Sequence, residues 1–193
     1  NAFAGRADDL ADRKAEVILT PHAGEFARLA GIGTGEIETD RVRHVRDLAA
    51  RTSATVLLKG SRTLVGTPDG AVRINPTGGP FLATGGTGDV LAGMIAGLLA
   101  RGCSPFDAGS AAAYVHGLAG RLAADERGDG TTAADVLERE AASAAADAAL
   151  PLSGKAPDAL APVTAVVLGQ LFALALCQAR GLDPDAPRGL RKV

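Results

Sequence analysis

The sequence predicts an α/β layered domain, and three observations carry that prediction. Short apolar runs alternate with longer segments of helical period. One run, "ATVLLKG" (54–60), is apolar throughout, as in an interior strand covered on both faces. A glycine-threonine loop, "ATGGTGDVLAG" (83–93), opens directly into a helical stretch of small and apolar residues. Strands alternating with helices in this way build layers around one core. The 193 residues are 47% hydrophobic but only 3% aromatic, without Trp, so Ala, Leu and Val must build that core.

The elements follow in order. "EVILT" (16–20) is a β-branched run ending at Pro21, a short buried strand. "GEFARLAG" (24–31) is a short helix closed by Gly31. In "GEIETDRVRHVRDLAART" (35–52), Ile37, Val42, Val45, Leu48 and Ala49 fall near helical spacing. His44 falls on the charged face and is expected in solvent. After the interior strand, "TLVGTPDGAVRIN" (63–75) reads as a hairpin turning at "TPDG". The glycine loop then leads into a helix over 89–102. "SPFDAGSAAAYVHGLAGRLAADERG" (104–128) and "TTAADVLERE" (131–140) read as two more helices, with His116 expected in the core. From 138 to 160 the composition turns Ala-rich and then turn-rich, which suggests a boundary within 140–157. A last helix is expected over 161–180, followed by a basic, proline-rich tail.

Composition excludes several classes. A net charge of -2 and a pI of about 5.9, without a basic stripe, argue against nucleic acid as a partner. Cys103 and Cys177 sit far apart in apolar helical patterns and read as buried thiols of a cytoplasmic protein. No metal-ligand cluster is visible. The N-terminus is polar, without a signal peptide, and lacks Met, which suggests a start within a longer gene. "LAPVTAVVLGQLFALALC" (160–177) is near the length of a membrane span. Pro162, Thr164 and Gln170 interrupt it, so a buried or interface helix is expected and no membrane partner.

The glycine loop is neither a Walker loop, since no Lys follows, nor the dinucleotide fingerprint, since Leu91 stands where a third glycine is needed. Gly85, Gly86 and Gly88 let successive N–H groups point one way. The helix that follows brings unpartnered amides and a dipole that favours an anion. Thr84 and Thr87 add hydroxyls. The expected guest is the phosphate end of a nucleotide. Asp89 reads equally as an N-cap or as a general base beside a transferring phosphoryl group. Lys59 ends the interior strand, and His22 follows another strand, where parallel sheets open onto ligand crevices. Glu25 could cap the helix after His22. Asn75 could orient the following loop by bonding its backbone.

"LTPHAGEFARLAG" (19–31), "VLLKGSRTLVGTPDG" (56–70) and "NPTGGPFLATGGTGDVLAGMIAGLLARG" (75–102) together resemble the ADP-dependent NAD(P)H-hydrate dehydratases of the ribokinase-like superfamily, over residues 1 to about 140. The resemblance implies a ribokinase-like three-layer α/β domain. It implies a hydro-lyase that restores hydrated NADH and NADPH at the expense of ADP, or ATP in eukaryotes, with Mg2+. The substrate hydroxyl would be phosphorylated and the phosphate then eliminated. Asp89 matches the residue that contacts the hydrate and serves as base. Thr20, Pro21, His22, Gly24, Glu25 and Phe26 match the block lining the hydrate site, with His22 in direct contact. Lys59, Gly60, Ser61, Arg62 and Thr63 match a nucleotide-binding loop. Asn75, Gly79, Thr84, Gly85, Gly86, Thr87 and Gly88 match the stretch around the nucleotide phosphates.

The resemblance departs at both ends. The N-terminal half of such a domain is not in the sequence, so the expected fold is truncated there. Residues 141–193 instead resemble the end of a sugar isomerase (SIS) domain, with a strand at "AALPL" (148–152), a long helix and a tail lysine, Lys192. A C-terminal strand-helix extension of SIS type is therefore expected, as a fusion or a chimeric fragment. A small-molecule kinase using the same loop, a phosphosugar-binding module and an inactive fragment remain alternative readings. The oligomeric state stays open, a homo-oligomer included.

Overall fold

A computed structural model describes residues 3–145. The expected boundary's later part, the apolar segment 160–177, Cys177, the SIS-like strand and helix, and Lys192 all lie outside these residues. The chain divides into two compact units. Unit 1 comprises Asn1–Gly78 and Gly102–Tyr114; unit 2 comprises Gly79–Arg101 and the described residues from Val115 onward. Both divisions fall inside the stretch expected to be one domain.

Unit 1 is built on a four-stranded sheet in the order β1-β2-β3-β4. The strands are β1 (Ile18–Leu19), β2 (Thr55–Leu58), β3 (Leu64–Gly66) and β4 (Val72–Ile74). β1 and β2 are parallel, and β2, β3 and β4 form an antiparallel meander. Between β1 and β2 run α1 (Ala23–Ala30), α2 (Thr34–Thr39) and α3 (Arg41–Thr52). The unbroken apolar run of β2 has the expected cause: every residue from Thr55 to Leu58 is buried. Val56, Leu58 and Leu64 join Phe26, Ile37, Val45 and Leu48 in one core cluster. A Cβ built on Gly109, in the first half of the long helix α5 (Pro105–Arg127), would meet Ile18, Val65 and Leu57. These contacts put helices on both faces of the sheet, the helix–sheet–helix order expected of the fold. Gly66 is required by packing, since a Cβ there would stand 2.4 Å from Val45 Cγ1.

The hairpin turns as predicted, with the Gly70 N–H donating to the Thr67 carbonyl at 3.0 Å and Gly70 at φ +90°. Two expectations need correction. The helical stretch 35–52 is two helices. Asp40 breaks it at φ -158°, ψ 76°, and its carboxylate accepts from the Arg43 N–H, starting α3 afresh. That restart rotates His44 inward: it is 7% exposed and buried, not solvated. Charge on neighbouring positions concealed that it flanks Val45 on the packed side.

Unit 2 contains a 3-10 turn (Pro80–Leu82), α4 (Thr87–Ala100), the second half of α5 and α6 (Ala133–Ala145). Val90, Leu91, Met94, Ile95 and Leu98 form the buried stripe of α4 at the expected helical spacing. Ala119, Ala123 and Val136 make a small core with Leu82 against it. Gly120 admits the 3-10 turn, because a Cβ there would lie 2.5 Å from Leu82 Cδ2. His116 is buried, as its apolar setting predicted. Cys103 is only half-buried. Among the described residues no helix is long and apolar enough to cross a membrane.

Candidate functional site

In unit 1 the structure brings two of the predicted blocks together at the C-terminal ends of the parallel strands β1 and β2. The Lys59 N–H donates to the Pro21 carbonyl at 2.8 Å, joining the loop after β2 to the loop after β1. The Lys59 ammonium lies 3.8 Å from Glu25 Oε2, with 27% of its side chain exposed. His22 starts α1 as its N-cap. Its Nδ1 accepts from the Gly24 and Glu25 N–H groups at 3.1 and 3.3 Å. Glu25 Oε2 accepts from the His22 N–H at 2.8 Å, completing a capping box. An accepting Nδ1 puts the ring proton on Nε2, which faces Glu25 Oε1 at 3.5 Å.

This network sets the charge of Glu25. Burial pushes its carboxyl up, but the His22 N–H, the Lys59 ammonium and the His22 ring outweigh that and hold it below the ordinary carboxylate range. Glu25 therefore stays an anion that orients Lys59 and caps α1. Phe26 departs from expectation. It is fully buried in the core cluster of unit 1, so it supports the loop from beneath and does not line a ligand surface. One step of about 100° past Glu25 on α1 turns Phe26 into the core.

The Lys59–Thr63 stretch is a tight turn between β2 and β3. Gly60 has φ +145° and Arg62 φ +53°, conformations in which side chains are strained. Asn75 ends β4, and its side chain is spent internally. Nδ2 donates to the Ala113 carbonyl at 2.9 Å, while Oδ1 accepts from Thr77. It ties the hairpin's exit to α5, the loop-orienting reading, and leaves no free amide for a nucleotide.

In unit 2 the glycine loop runs directly into α4, as expected. Gly86 is the N-cap of α4, at φ 90° and ψ -22°. The Thr87 and Asp89 N–H groups donate within this turn, to the Thr84 and Gly86 carbonyls at 3.4 and 3.0 Å, and the loop sits at the positive end of the helix. A Cβ at Gly86 would stand 3.1 Å from Ala133 Cβ, whereas nothing lies within 4 Å of one at Gly85. The helix begins two residues earlier than predicted. Asp89 therefore sits in its first turn, exposed, and is not the N-cap. Thr87 is also corrected. It is buried, and its hydroxyl donates to the Leu82 carbonyl at 2.7 Å, with the Thr84 carbonyl 2.9 Å away. It closes the loop and does not face a guest. The Thr84 hydroxyl lies 3.2 Å from the Thr131 carbonyl, tying the loop to the residues before α6.

Among the described residues no group of three or more His, Cys, Asp or Glu could hold a metal ion.

The helix-covered sheet of unit 1 and the glycine loop that opens α4 in unit 2 define the class, an α/β protein like the solved ribokinase-like dehydratases. The sequence profile of NAD(P)H-hydrate dehydratases matches residues 1–142, and the chain belongs to that family. The ADP-dependent (S)-NAD(P)H-hydrate dehydratase of Bacillus subtilis is 41% identical over 131 residues, 66% of this chain and 48% of that protein. The bifunctional NAD(P)H-hydrate repair enzyme of Salinibacter ruber is 52% identical over 120 residues, 62% of this chain and 22% of that one. A solved structure of the Bacillus subtilis ADP/ATP-dependent NAD(P)H-hydrate dehydratase, co-crystallized with ATP/Mg2+, resembles this chain with a TM-score of 0.57 at 32% identity. It covers 83% of this chain and 52% of that one. The chain thus spans about half the length of the single-function relatives and about a quarter of the bifunctional ones. The family match ends at residue 142, so the SIS resemblance of 141–193 has no counterpart in it.

Sequence reasoning offered Glu25 as a cap of α1 and missed the similar caps that start α5 and α6. "HAGE" (22–25), "SPFD" (104–107) and "TAAD" (132–135) each place an acidic residue three positions after the cap. Asp135 accepts from the Thr132 N–H at 2.9 Å, and Ser104 accepts from the Asp107 N–H at 3.1 Å. It also missed Arg41, whose guanidinium donates to the Ser61 carbonyl. Nothing in helical spacing marks an arginine as a loop anchor.

Proposed function

We propose that this chain carries the phosphate-cradle and hydrate-facing segments of an ADP-dependent NAD(P)H-hydrate dehydratase. The observation that carries the reading is the left-handed Gly86 cap of α4 with Asp89 exposed in the first turn behind it. In the reaction, the hydroxyl oxygen on C6 of the hydrated nicotinamide ring attacks the terminal phosphorus of ADP. Asp89 takes the hydroxyl proton, and AMP leaves. Loss of a ring proton then expels phosphate from C6 and restores the double bond of NADH or NADPH. The positive end of α4 faces the phosphates, where its dipole offsets charge that shifts during transfer. Lys59 and its turn meet the nucleotide. His22, with Nε2 turned to Glu25, and Glu25 face the hydrate as a pair. Thr20 and Pro21 carry the backbone that places them.

The test is regeneration of NADH absorbance from hydrated NADH with ADP and Mg2+. It is run on this chain and on this chain joined to the preceding half of the Bacillus subtilis relative. Dehydration by either protein, lost in Asp89→Asn, supports the reading. Turnover retained by the Asn variant would remove Asp89 as base, and no turnover in either would overturn the proposal. A kinase using the same cradle would stop at a stable phosphorylated product, which product analysis separates from AMP, phosphate and NADH. The division near residue 140 and the SIS-type tail form a separate proposal resting on sequence resemblance. Fructose-6-phosphate binding that Lys192→Ala weakens would support it; no binding at millimolar ligand would end it.

A further inference from the structure

We propose that Arg41 is a positioning residue that holds the turn at residues 59–63 in the shape that receives a nucleotide. The proposal rests on the nucleotide reading of that turn. Arg41 is the first residue of α3 and lies outside all three blocks that carry the family resemblance. The break at Asp40 aims its side chain at the loop after β2. Its Nη1 donates to the Ser61 carbonyl. Its Nη2 lies 3.1 Å from where a Cβ on Gly60 would stand. Gly60 is thus glycine for two reasons, its φ of +145° and the guanidinium occupying that side.

Stability alone is a poor reason for this arrangement. Arg41 Nε is buried without a hydrogen-bond partner. The carboxylate nearest to it by charge is Glu38 Oε1, 3.9 Å away on a side chain 63% exposed. An unmet buried donor is unfavourable, and an exposed ion pair at that distance offsets little of it. What the planar guanidinium does supply is a rigid brace against two consecutive residues of a strained turn. Lys59 stands at the head of that turn, fixed on its other side by the Pro21 carbonyl. Without the brace, the Ser61–Arg62 peptide loses the donor that fixes its carbonyl while Lys59 keeps its bond. The loss therefore falls on nucleotide binding.

The test compares wild type, Arg41→Met and Arg41→Lys by ADP calorimetry, thermal melting and amide hydrogen exchange. Arg41→Met should weaken ADP binding by roughly tenfold or more, as expected for losing a charged hydrogen bond. It should speed exchange at residues 60–63 selectively. Arg41→Lys should recover part of the affinity, since an ammonium reaches one carbonyl but lacks the fork. Unchanged ADP affinity or unchanged exchange in the turn overturns the proposal. So does faster exchange across all of unit 1 with an affinity loss that tracks only the unfolded fraction, which marks a purely structural role. If wild type binds ADP but regenerates no NADH, the dehydration reading falls, and the binding series still decides Arg41. If wild type binds no ADP, the nucleotide role of the turn and this proposal fall together.

Discussion

Two adjacent glycines of the cradle should respond in opposite ways to the same added methyl group. Gly86 sits at φ 90° with Ala133 Cβ 3.1 Å from its own would-be Cβ, whereas Gly85 has nothing within 4 Å and no positive φ. For Gly86→Ala, the left-handed backbone costs about 1–2 kcal/mol. The close approach to Ala133 adds about 1 kcal/mol if α6 yields by a few tenths of an ångström. Lower entropy of the unfolded chain returns about 0.4–1 kcal/mol. The net loss is about 1–2.5 kcal/mol, a fall in Tm of several degrees at roughly 2–8 °C per kcal/mol. Gly85→Ala incurs no comparable strain and should be neutral or slightly stabilising. Its methyl projects into open space at the mouth of the cradle, so it should weaken ADP binding at unchanged Tm. Urea melts and ADP calorimetry on both variants measure these quantities. Equal stability losses at both positions, or a Gly86→Ala protein as stable as wild type, would refute the left-handed cap. A Gly85→Ala protein with wild-type ADP affinity would refute a phosphate at this loop.

Asp89→Asn should abolish NADH regeneration while leaving Tm nearly unchanged, because the side chain is exposed and makes no cap bond; a stability loss above about 1 kcal/mol would exceed what a first-turn carboxylate contributes through the helix dipole. Leu57→Ala, at a fully buried site in β2, should cost about 2–5 kcal/mol in urea melts. Asp107 is held below the ordinary carboxylate range first by its hydrogen bond from Arg73 and then by Ser104, against a smaller opposing effect of burial. A depressed folded pKa adds stability above the unfolded value of about 3.9, and that stability is lost as pH falls through the folded pKa. Asp107→Asn should therefore flatten the acid limb of stability against pH below about 4 and change its slope little near neutrality. Both side chains are about half-exposed, so the change should be small and should shrink further in salt.

The sheet was legible in the sequence because its signals are local. A run buried on both faces has no polar residue to interrupt it, and a Thr-Pro-Asp-Gly turn names its own hairpin. The glycine loop was legible because its glycines cluster directly before a run of helical period. What escaped was set by packing or by backbone geometry over one or two residues. The break at Asp40 looks like a charged position within one helix until its carboxylate is seen capping α3. His44 shares a helix turn with four charged residues, yet points inward beside Val45. The start of α4 was misplaced because a glycine at φ 90° can serve as an N-cap without a side chain, and the eye goes to the aspartate instead.

Membership of a motif and exposure of a side chain are different properties, and these blocks separate them. Phe26, Asn75 and Thr87 all belong to blocks that mark the family, yet each is buried, and the Asn75 and Thr87 polar atoms bond inside the fold. They hold the backbone of the loops in place. Gly85 and Asp89 project outward, and Lys59 reaches out in part, held by a glutamate that is itself held by a cap. A substitution in the first group should therefore lower stability and binding together, because the loops lose their shape. A substitution in the second should lower binding or turnover at constant stability. Arg41 is the informative intermediate. Its guanidinium is largely sheltered like the first group, but its unmet Nε denies it a clear stabilising role, so its loss should affect the nucleotide turn more than the fold.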